Sequence, residues 1–213
     1  MKEIHYIFLL FMMYSFIGYL IEIFTILKET KKINLDRGYL IGPYLPIFGF
    51  GSMIIVLTLS KYTNDIFILF IVGAVLAGIL EYVTSYIMEK FFGMRWWDYS
   101  NKKFNLNGRI CLEFLILFGL AAILIMNFIN PLMISLLDMV PYPFIKIISI
   151  ILFIIIIIDT IISTCTVFKI KDKFKTFKKI DNTKEIKLEV LRQLSNSSFL
   201  FKRLINSFPL FKK

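Results

Sequence analysis

The sequence predicts an all-α fold, a polytopic bundle of five transmembrane helices with a peripheral amphipathic helix in its tail. Of the 213 residues 58% are hydrophobic and only 19% are charged, a composition that excludes an ordinary soluble domain. Five apolar runs are each long enough to cross a bilayer, which takes about 20 residues. These runs are Tyr6–Leu27, Tyr39–Ser60, Ile66–Met88, Ile110–Leu132 and Phe144–Phe168, so that residues 1–168 form the membrane domain and residues 169–213 the tail.

The first run is predicted to be a retained membrane helix. No basic region precedes it, it is too long for the apolar core of a signal peptide, and no small-x-small cleavage site follows it.

The second run is irregular in its first half, "RGYLIGPYLPIFGFGS". Proline removes a backbone donor and clashes with the preceding turn, so we expect a break near Gly42, Pro43 and Pro46. Broken helices often border transport sites, although simple kinks are more frequent.

The third run combines close packing with polar side chains. Gly73 and Ala77, and likewise Ala74 and Gly78, form small-xxx-small pairs that let a neighbouring helix approach. Glu81, Ser85 and Glu89 follow at intervals of four residues, and this spacing predicts that they share one helix face.

Basic residues alternate between the two sides of the predicted bundle. The loops after the first and third runs and the tail are rich in Lys and Arg, whereas the loop after the second run has only Lys61 and the loop after the fourth has none. The positive-inside rule therefore predicts an outside N-terminus and an inside C-terminus in the cytoplasmic membrane.

The tail carries most of the net charge, with 13 Lys or Arg against 4 Asp or Glu. Within it, "DNTKEIKLEVLRQLSNS" predicts an amphipathic helix on the inner leaflet. We expect the tail to bind anionic lipid headgroups, or alternatively a cytosolic partner, and not nucleic acid.

Acidic residues inside the predicted spans are costly, at roughly 2.5–3.5 kcal/mol for a charge near mid-membrane. There are four, and the helical rise places all of them in the inner half of the membrane: Glu22, Glu81, Glu113 and Asp159. We expect these acids to cluster with Arg37, Arg95 and Arg109, because guanidinium groups pair bidentately with carboxylates. Ion pairs that only hold the bundle together are an equally good interpretation.

The stretch "FFGMRWWDYSNKKFNLNGRICLEF" is predicted to cover this cluster. Trp96, Trp97 and Tyr99 are expected at the membrane interface. The full set of candidate substrate-binding residues is Glu22, Arg37, Glu81, Glu89, Arg95, Asp98, Asn105, Arg109 and Glu113.

Several catalytic motifs are absent from the sequence. It contains no GxxxxGK[ST], HExxH or GxSxG, and His5 is its single histidine. Cys111 and Cys165 lack the spacing of a metal site and are expected to be free thiols. We therefore expect neither a metal nor a cofactor.

Four segments carry a resemblance to a known family: "YSFIGYLIE", "NLDRGYLIGPYLPIFGFG", "LEYVTSYIMEKFFGMRWWDYS" and "FNLNGRICLEF". In this order, over about Tyr14 to Pro131, the chain resembles the bacterial family called putative ABC-transporter type IV (CmpB-like). The resemblance implies a permease served by a separate ATPase. The matching positions are Glu22, Arg37, Gly42, Pro43, Glu81, Glu89, Arg95, Trp96, Trp97, Asp98, Asn105, Gly108, Arg109 and Glu113.

Three functions fit these observations. The first is a small membrane transport protein, with other membrane subunits or as a homo-oligomer because five spans are few for a complete transporter. The second is a membrane enzyme that acts on a lipid or isoprenoid headgroup, with arginines holding a phosphate. The third is a noncatalytic membrane adaptor.

Overall fold

Helices dominate the computed structural model, which describes residues 2–31, 33–92, 95–178 and 203. They are α1 (Lys2–Thr30), α2 (Pro46–Leu59, continued by a 3₁₀ turn over Ser60–Tyr62), α3 (Ile66–Phe92), α4 (Leu112–Leu124), α5 (Asn130–Asp138) and α6 (Tyr142–Lys178). A π turn, Ile125–Ile129, joins α4 and α5 into one continuous helix. Two short strands, β1 (Asn105–Leu106) and β2 (Ile110–Cys111), pair antiparallel between α3 and α4.

Four of the helices are long and apolar enough to cross a membrane: Glu3–Lys28, Ile66–Phe92, Leu112–Asp138 and Tyr142–Lys169. A fifth apolar helix, Pro46–Tyr62, is shorter. The all-α, multi-pass prediction is therefore confirmed, with four full-length spans and one short helix.

The second helix starts later than predicted, at Pro46 instead of Tyr39. Residues 39–45, which we call the irregular segment, form no regular helix. Two prolines explain the difference, because Pro43 and Pro46 donate no backbone hydrogen bond and proline fits best in the first turn of a helix.

The helix formed by the fourth predicted run is longer than expected. The fourth was expected to end at Leu132 but continues to Asp138, because the π turn accommodates Pro131 through a hydrogen bond from Asn130 N–H to Ile125 O. The predicted connection over residues 133–143 shrinks to residues 139–141.

The last helix continues into the predicted tail as far as Lys178, since residues 169–178 contain no glycine or proline to end it. The amphipathic helix predicted from "DNTKEIKLEVLRQLSNS" lies outside the described residues.

Small residues bring α3 and α4 together, as the small-xxx-small pattern predicts. A Cβ added to Gly73 would collide with the Ala122 side chain, and one added to Gly78 would come within 2.5 Å of Leu115 and 2.9 Å of Ile110. Ala122 is fully buried. The two helices thus meet at near-backbone distance.

A substitution at this contact tests the packing. We expect Gly73→Ala to destabilise the protein by about 1–3 kcal/mol, because its methyl group would overpack the α3–α4 contact. Gly51→Ala is the matched control, since a Cβ there would lie 3.5 Å from Leu80, an ordinary contact distance. Thermal unfolding of both variants in the same detergent measures the difference, and equal stability would contradict the packing argument.

Candidate functional site

Polar side chains meet at one end of the bundle. This end is formed by the C-terminal ends of α1, α3 and α6 and the N-terminal ends of α2 and α4. The irregular segment lies there, together with residues 95–111, which we call the capping loop. Ring contacts join the parts: Tyr39 of the irregular segment packs on Trp96 of the capping loop at 5.5 Å between ring centroids, and Phe92 of α3 packs on Phe168 of α6 at 5.4 Å.

The capping loop has a defined shape because an Asn-Gly turn closes it. Asn107 and Gly108 both have positive φ, and Arg109 N–H donates to Leu106 O at 3.0 Å, as in a type I′ hairpin turn. Gly108 is further required by space, because a Cβ there would lie 2.6 Å from the Asp98 carboxylate.

Two of the predicted binding residues maintain this shape. Asn105 Oδ1 accepts the Gly108 N–H at 3.0 Å, and its amide nitrogen donates to Lys102 O at 2.8 Å. The Asp98 carboxylate accepts the Ser100 N–H at 3.0 Å. All three hydrogen bonds are local to the loop.

The centre of the loop is fixed by one carboxylate shared between two arginines. Glu89 Oε2 accepts from Arg95 Nε at 2.8 Å and from Arg109 Nη2 at 2.6 Å. Arg95 also donates to Asn107 O at 3.0 Å. The ion pairs fasten the capping loop to the end of α3.

Arg109 is almost fully buried between α3 and the loop. Its guanidinium lies 5.7 Å from the centre of the Tyr82 ring and 5.4 Å from that of Tyr86, within cation–π range. Nη1 is 3.4 Å from Ser85 Oγ, and the Arg109 carbonyl accepts from Trp97 Nε1 at 3.0 Å. Trp97, expected at the membrane interface, thus also holds the loop.

Glu81 lies one turn below Ser85 and has a different partner. Only 8% of it is exposed, and its Oε1 accepts from the Tyr99 hydroxyl at 3.0 Å. Its buried Oε2 has no hydrogen-bond partner among the residues that the structure describes. Among the described residues, Glu81 also has no salt-bridge partner.

Tyr99 is held under the loop by this contact. Its ring stacks on Phe114 of α4 at 4.6 Å. Burial raises the pKa of Tyr99 above its ordinary value, and the negative charges of Glu81 and, more weakly, Glu22 raise it further. Glu22 of α1 therefore lies within electrostatic range of Tyr99.

Asp159 of α6 forms a separate site with the irregular segment. Its carboxylate accepts the backbone N–H groups of Ile41 and Gly42, each at 2.8 Å. It also accepts the Tyr44 hydroxyl at 2.6 Å and the Ser163 hydroxyl at 2.9 Å. With 7% exposure, this carboxylate replaces the helical hydrogen bonds that the segment lacks.

A tail residue lies against the same segment. Arg203 is buried and donates through Nη2 to the carbonyls of Arg37 and Leu40. Burial lowers the pKa of Arg203, and the charges of Asp36 and Asp159 counteract this effect. A Tyr39–Thr164 hydroxyl contact adds a further link between the segment and α6.

The single cluster of acids and arginines that we expected is not formed. Glu81 bonds to a tyrosine, Asp159 to backbone amides, and Glu113 to Lys102 at 2.8 Å in an ion pair whose side chains are 58% and 47% exposed. Arg37 contributes its carbonyl, and its buried Nε has no hydrogen-bond partner among the described residues. Arg95 and Arg109 pair with Glu89, the acid nearest the helix end.

Residues that sequence reasoning missed are mainly tyrosines and a serine. Tyr44 and Ser163 complete the Asp159 site, and Tyr82 and Tyr86 lie within cation–π range of Arg109. Spacing offers a partial signal, since Ser163 lies one turn after Asp159 and Tyr82 and Tyr86 flank Ser85. Within the described ranges no group of three or more His, Cys, Asp or Glu is placed to hold a metal ion, and Cys111 and Cys165 are free, the second exposed.

Comparison with known proteins gives one match. Residues 9–164 match the model of a family described as "Putative ABC-transporter type IV". No curated protein and no solved structure matches the chain.

Proposed function

The chain belongs to the putative ABC-transporter type IV family, and from this premise we propose that it is a permease-like membrane transport protein. Its substrate site is centred on Glu81, beneath the capping loop. The observation that supports the proposal most is the buried Glu81 carboxylate, one of whose oxygens has no hydrogen-bond partner among the described residues. An anion without a counter-charge is costly at membrane depth, so a bound ligand that supplies the missing partner would stabilise it.

The surroundings of Glu81 fit an alternating-access mechanism of transport. The irregular segment lies at the same end of the bundle, and non-helical backbone at membrane depth is characteristic of substrate and ion pathways. Glu22 adds negative charge from α1, while Arg95 and Arg109 are occupied by Glu89. The site therefore favours a proton or a cation over an anion.

The membrane orientation is part of the proposal. Because the basic loops and the tail alternate with nearly uncharged loops, the N-terminus lies outside, and the C-terminus, the capping loop and the tail lie in the cytoplasm. Residues 1–168 form the membrane domain of a cytoplasmic-membrane protein, and residues 169–213 bind anionic lipids. A separate ATPase, another membrane subunit or a second copy of the chain completes the transporter.

Charge movement in reconstituted membranes tests this function. The protein is purified together with any membrane subunit or ATPase that stays bound to it and reconstituted in proteoliposomes supplied with ATP. These proteoliposomes, adsorbed on a solid-supported membrane, are exposed to rapid jumps in protons, alkali cations, organic ammonium ions, amino acids and phosphate. We expect a protein-dependent current with at least one of these solutes. Glu81→Gln should reduce this current at least tenfold, because the amide cannot carry the charge that the site requires.

Glu113→Gln is the matched control, because it alters an exposed acid at the same end of the bundle. The control should keep the current. An adaptor predicts no current from the wild-type protein with any solute, and a membrane enzyme predicts turnover of co-purified lipid instead. Either result, or a full current in the Glu81→Gln protein, would contradict transport through this site.

A further inference from the structure

The two oxygens of the Glu81 carboxyl have different surroundings. Tyr99 donates to one oxygen, and the other is buried without a partner among the described residues. Glu22 of α1 and Cys111 of β2 are close enough to Tyr99 to raise its pKa. Two turns further along α3, Glu89 pairs with Arg95 and Arg109 of the capping loop, and Arg109 also contacts Ser85, one turn from Glu81.

This arrangement differs from that of a structural carboxylate. Asp159, equally buried, accepts four hydrogen bonds, two of them from backbone N–H groups. Glu81 accepts one, from the neutral hydroxyl of Tyr99, and it has no salt bridge with the lysines and arginines that the structure describes. Donors thus occupy both carboxylate oxygens of Asp159, whereas one oxygen of Glu81 has no donor among the described residues.

We propose that Glu81 is a proton-binding residue, whose carboxyl takes up and releases one proton through Oε2 while Tyr99 holds Oε1. In this reaction the carboxylate and a proton from water give the neutral acid, and release reverses the step. Coupling of this proton to a transported cation rests on the function proposed above, because the same oxygen cannot hold both ligands at once. Proton binding itself can be tested without transport.

Dicyclohexylcarbodiimide is a suitable probe, since it partitions into membranes and reacts with protonated carboxyls. The acid oxygen bonds to the central carbon of the carbodiimide, the acid proton moves to one of its nitrogens, and rearrangement gives a stable N-acylurea with no atom lost. We expect mass spectrometry of the labelled wild-type protein to locate the adduct on Glu81 near neutral pH. Asp159 and Glu113 should remain unlabelled, since Asp159 accepts four hydrogen bonds and Glu113 pairs with Lys102.

A second variant tests the geometry as well as the site. Tyr99→Phe removes the one donor to Glu81 and keeps the ring that stacks on Phe114, so the protonated form should persist to a pH higher by about one unit. The Tyr99→Phe protein should therefore be labelled at alkaline pH values where the wild-type protein is not. Glu81→Gln should lose the adduct.

Two results would overturn the proposal: an adduct on Glu22, Glu113 or Asp159 in place of Glu81, or an unchanged pH dependence in the Tyr99→Phe protein. Because the adduct is located on wild-type protein, the result does not depend on a successful transport assay. Labelled Glu81 without any current would contradict the transport proposal and support the proton site, whereas current without labelling would do the reverse.

Discussion

Replacing Asp159 by alanine should destabilise the folded protein by about 2–4 kcal/mol, because four buried donors lose their acceptor at once. Two of these donors are the Ile41 and Gly42 N–H groups, which have no helical partner in the irregular segment. The third is the Tyr44 hydroxyl, which is buried against the same carboxylate. The Ser163 hydroxyl can instead donate to a carbonyl of its own helix, so the loss of its hydrogen bond to Asp159 should destabilise the protein least.

Thermal unfolding in detergent and hydrogen exchange measure this effect together. We expect amide exchange at Ile41 and Gly42 to accelerate in the Asp159→Ala protein, since these N–H groups would be open to solvent. Asp159→Asn should be intermediate, because the amide keeps one acceptor oxygen. Glu113→Ala serves as the control for losing an acid, with an expected change below about 0.5 kcal/mol for an exposed ion pair.

Unchanged exchange at residues 41 and 42 in the Asp159→Ala protein would show that the carboxylate does not hold the segment. In that case the irregular segment would need another source of stability, and its hydrogen bonds to α6 would be incidental.

Replacing Arg109 by alanine should destabilise the protein by about 2–3 kcal/mol and loosen the capping loop. The substitution removes the ion pair with Glu89, the contact with Ser85 Oγ and the packing on two tyrosine rings. The effect stays below that of breaking a fully isolated pair, because Glu89 keeps Arg95. Arg109→Lys should recover part of the loss, since it restores a charge but not the planar stacking group.

A double-mutant cycle separates the ion pair from the packing. Glu89→Ala and Arg109→Ala, alone and together, should show a coupling energy of about 1–2 kcal/mol in the free energy of unfolding. The same cycle on Lys102 and Glu113, a pair of similar length but exposed, should give roughly 0.5 kcal/mol or less. Equal coupling energies in the two cycles would contradict a buried fastening of the loop.

The helices could be predicted well from the sequence, because a helix that crosses the hydrocarbon core needs a long apolar run. Four of the five apolar runs form helices long enough to span a membrane, and the small residues at Gly73 and Gly78 predict a closely packed neighbouring helix, which is α4. The i, i+4 spacing likewise predicts that Glu81 and Ser85 are buried on one face. These features depend on local spacing alone.

The partners of the acids could not be predicted in the same way. Helical rise gives the depth of a residue but not the direction it faces. Four acids at one level were therefore expected to meet, but Glu81, Glu113 and Asp159 each have different partners. The donors to Asp159 are backbone N–H groups, which no residue type signals. The continuation of the fourth span past Pro131 depends on a π turn, which likewise has no signature in residue type.

The chain order of the partners has a consequence for biogenesis. Tyr99, which donates to Glu81, follows it by only 18 residues, so this pair is synthesised within one short stretch of chain. Asp159 is far from its donors in the sequence, because Ile41 and Tyr44 precede it by 118 and 115 residues. The donors to Asp159 in the irregular segment are therefore synthesised before the last helix. When that helix is inserted, Asp159 can accept their hydrogen bonds. Nascent chains that end before α6 would carry those amides unsatisfied, which makes the insertion of the final helix the step that completes the bundle.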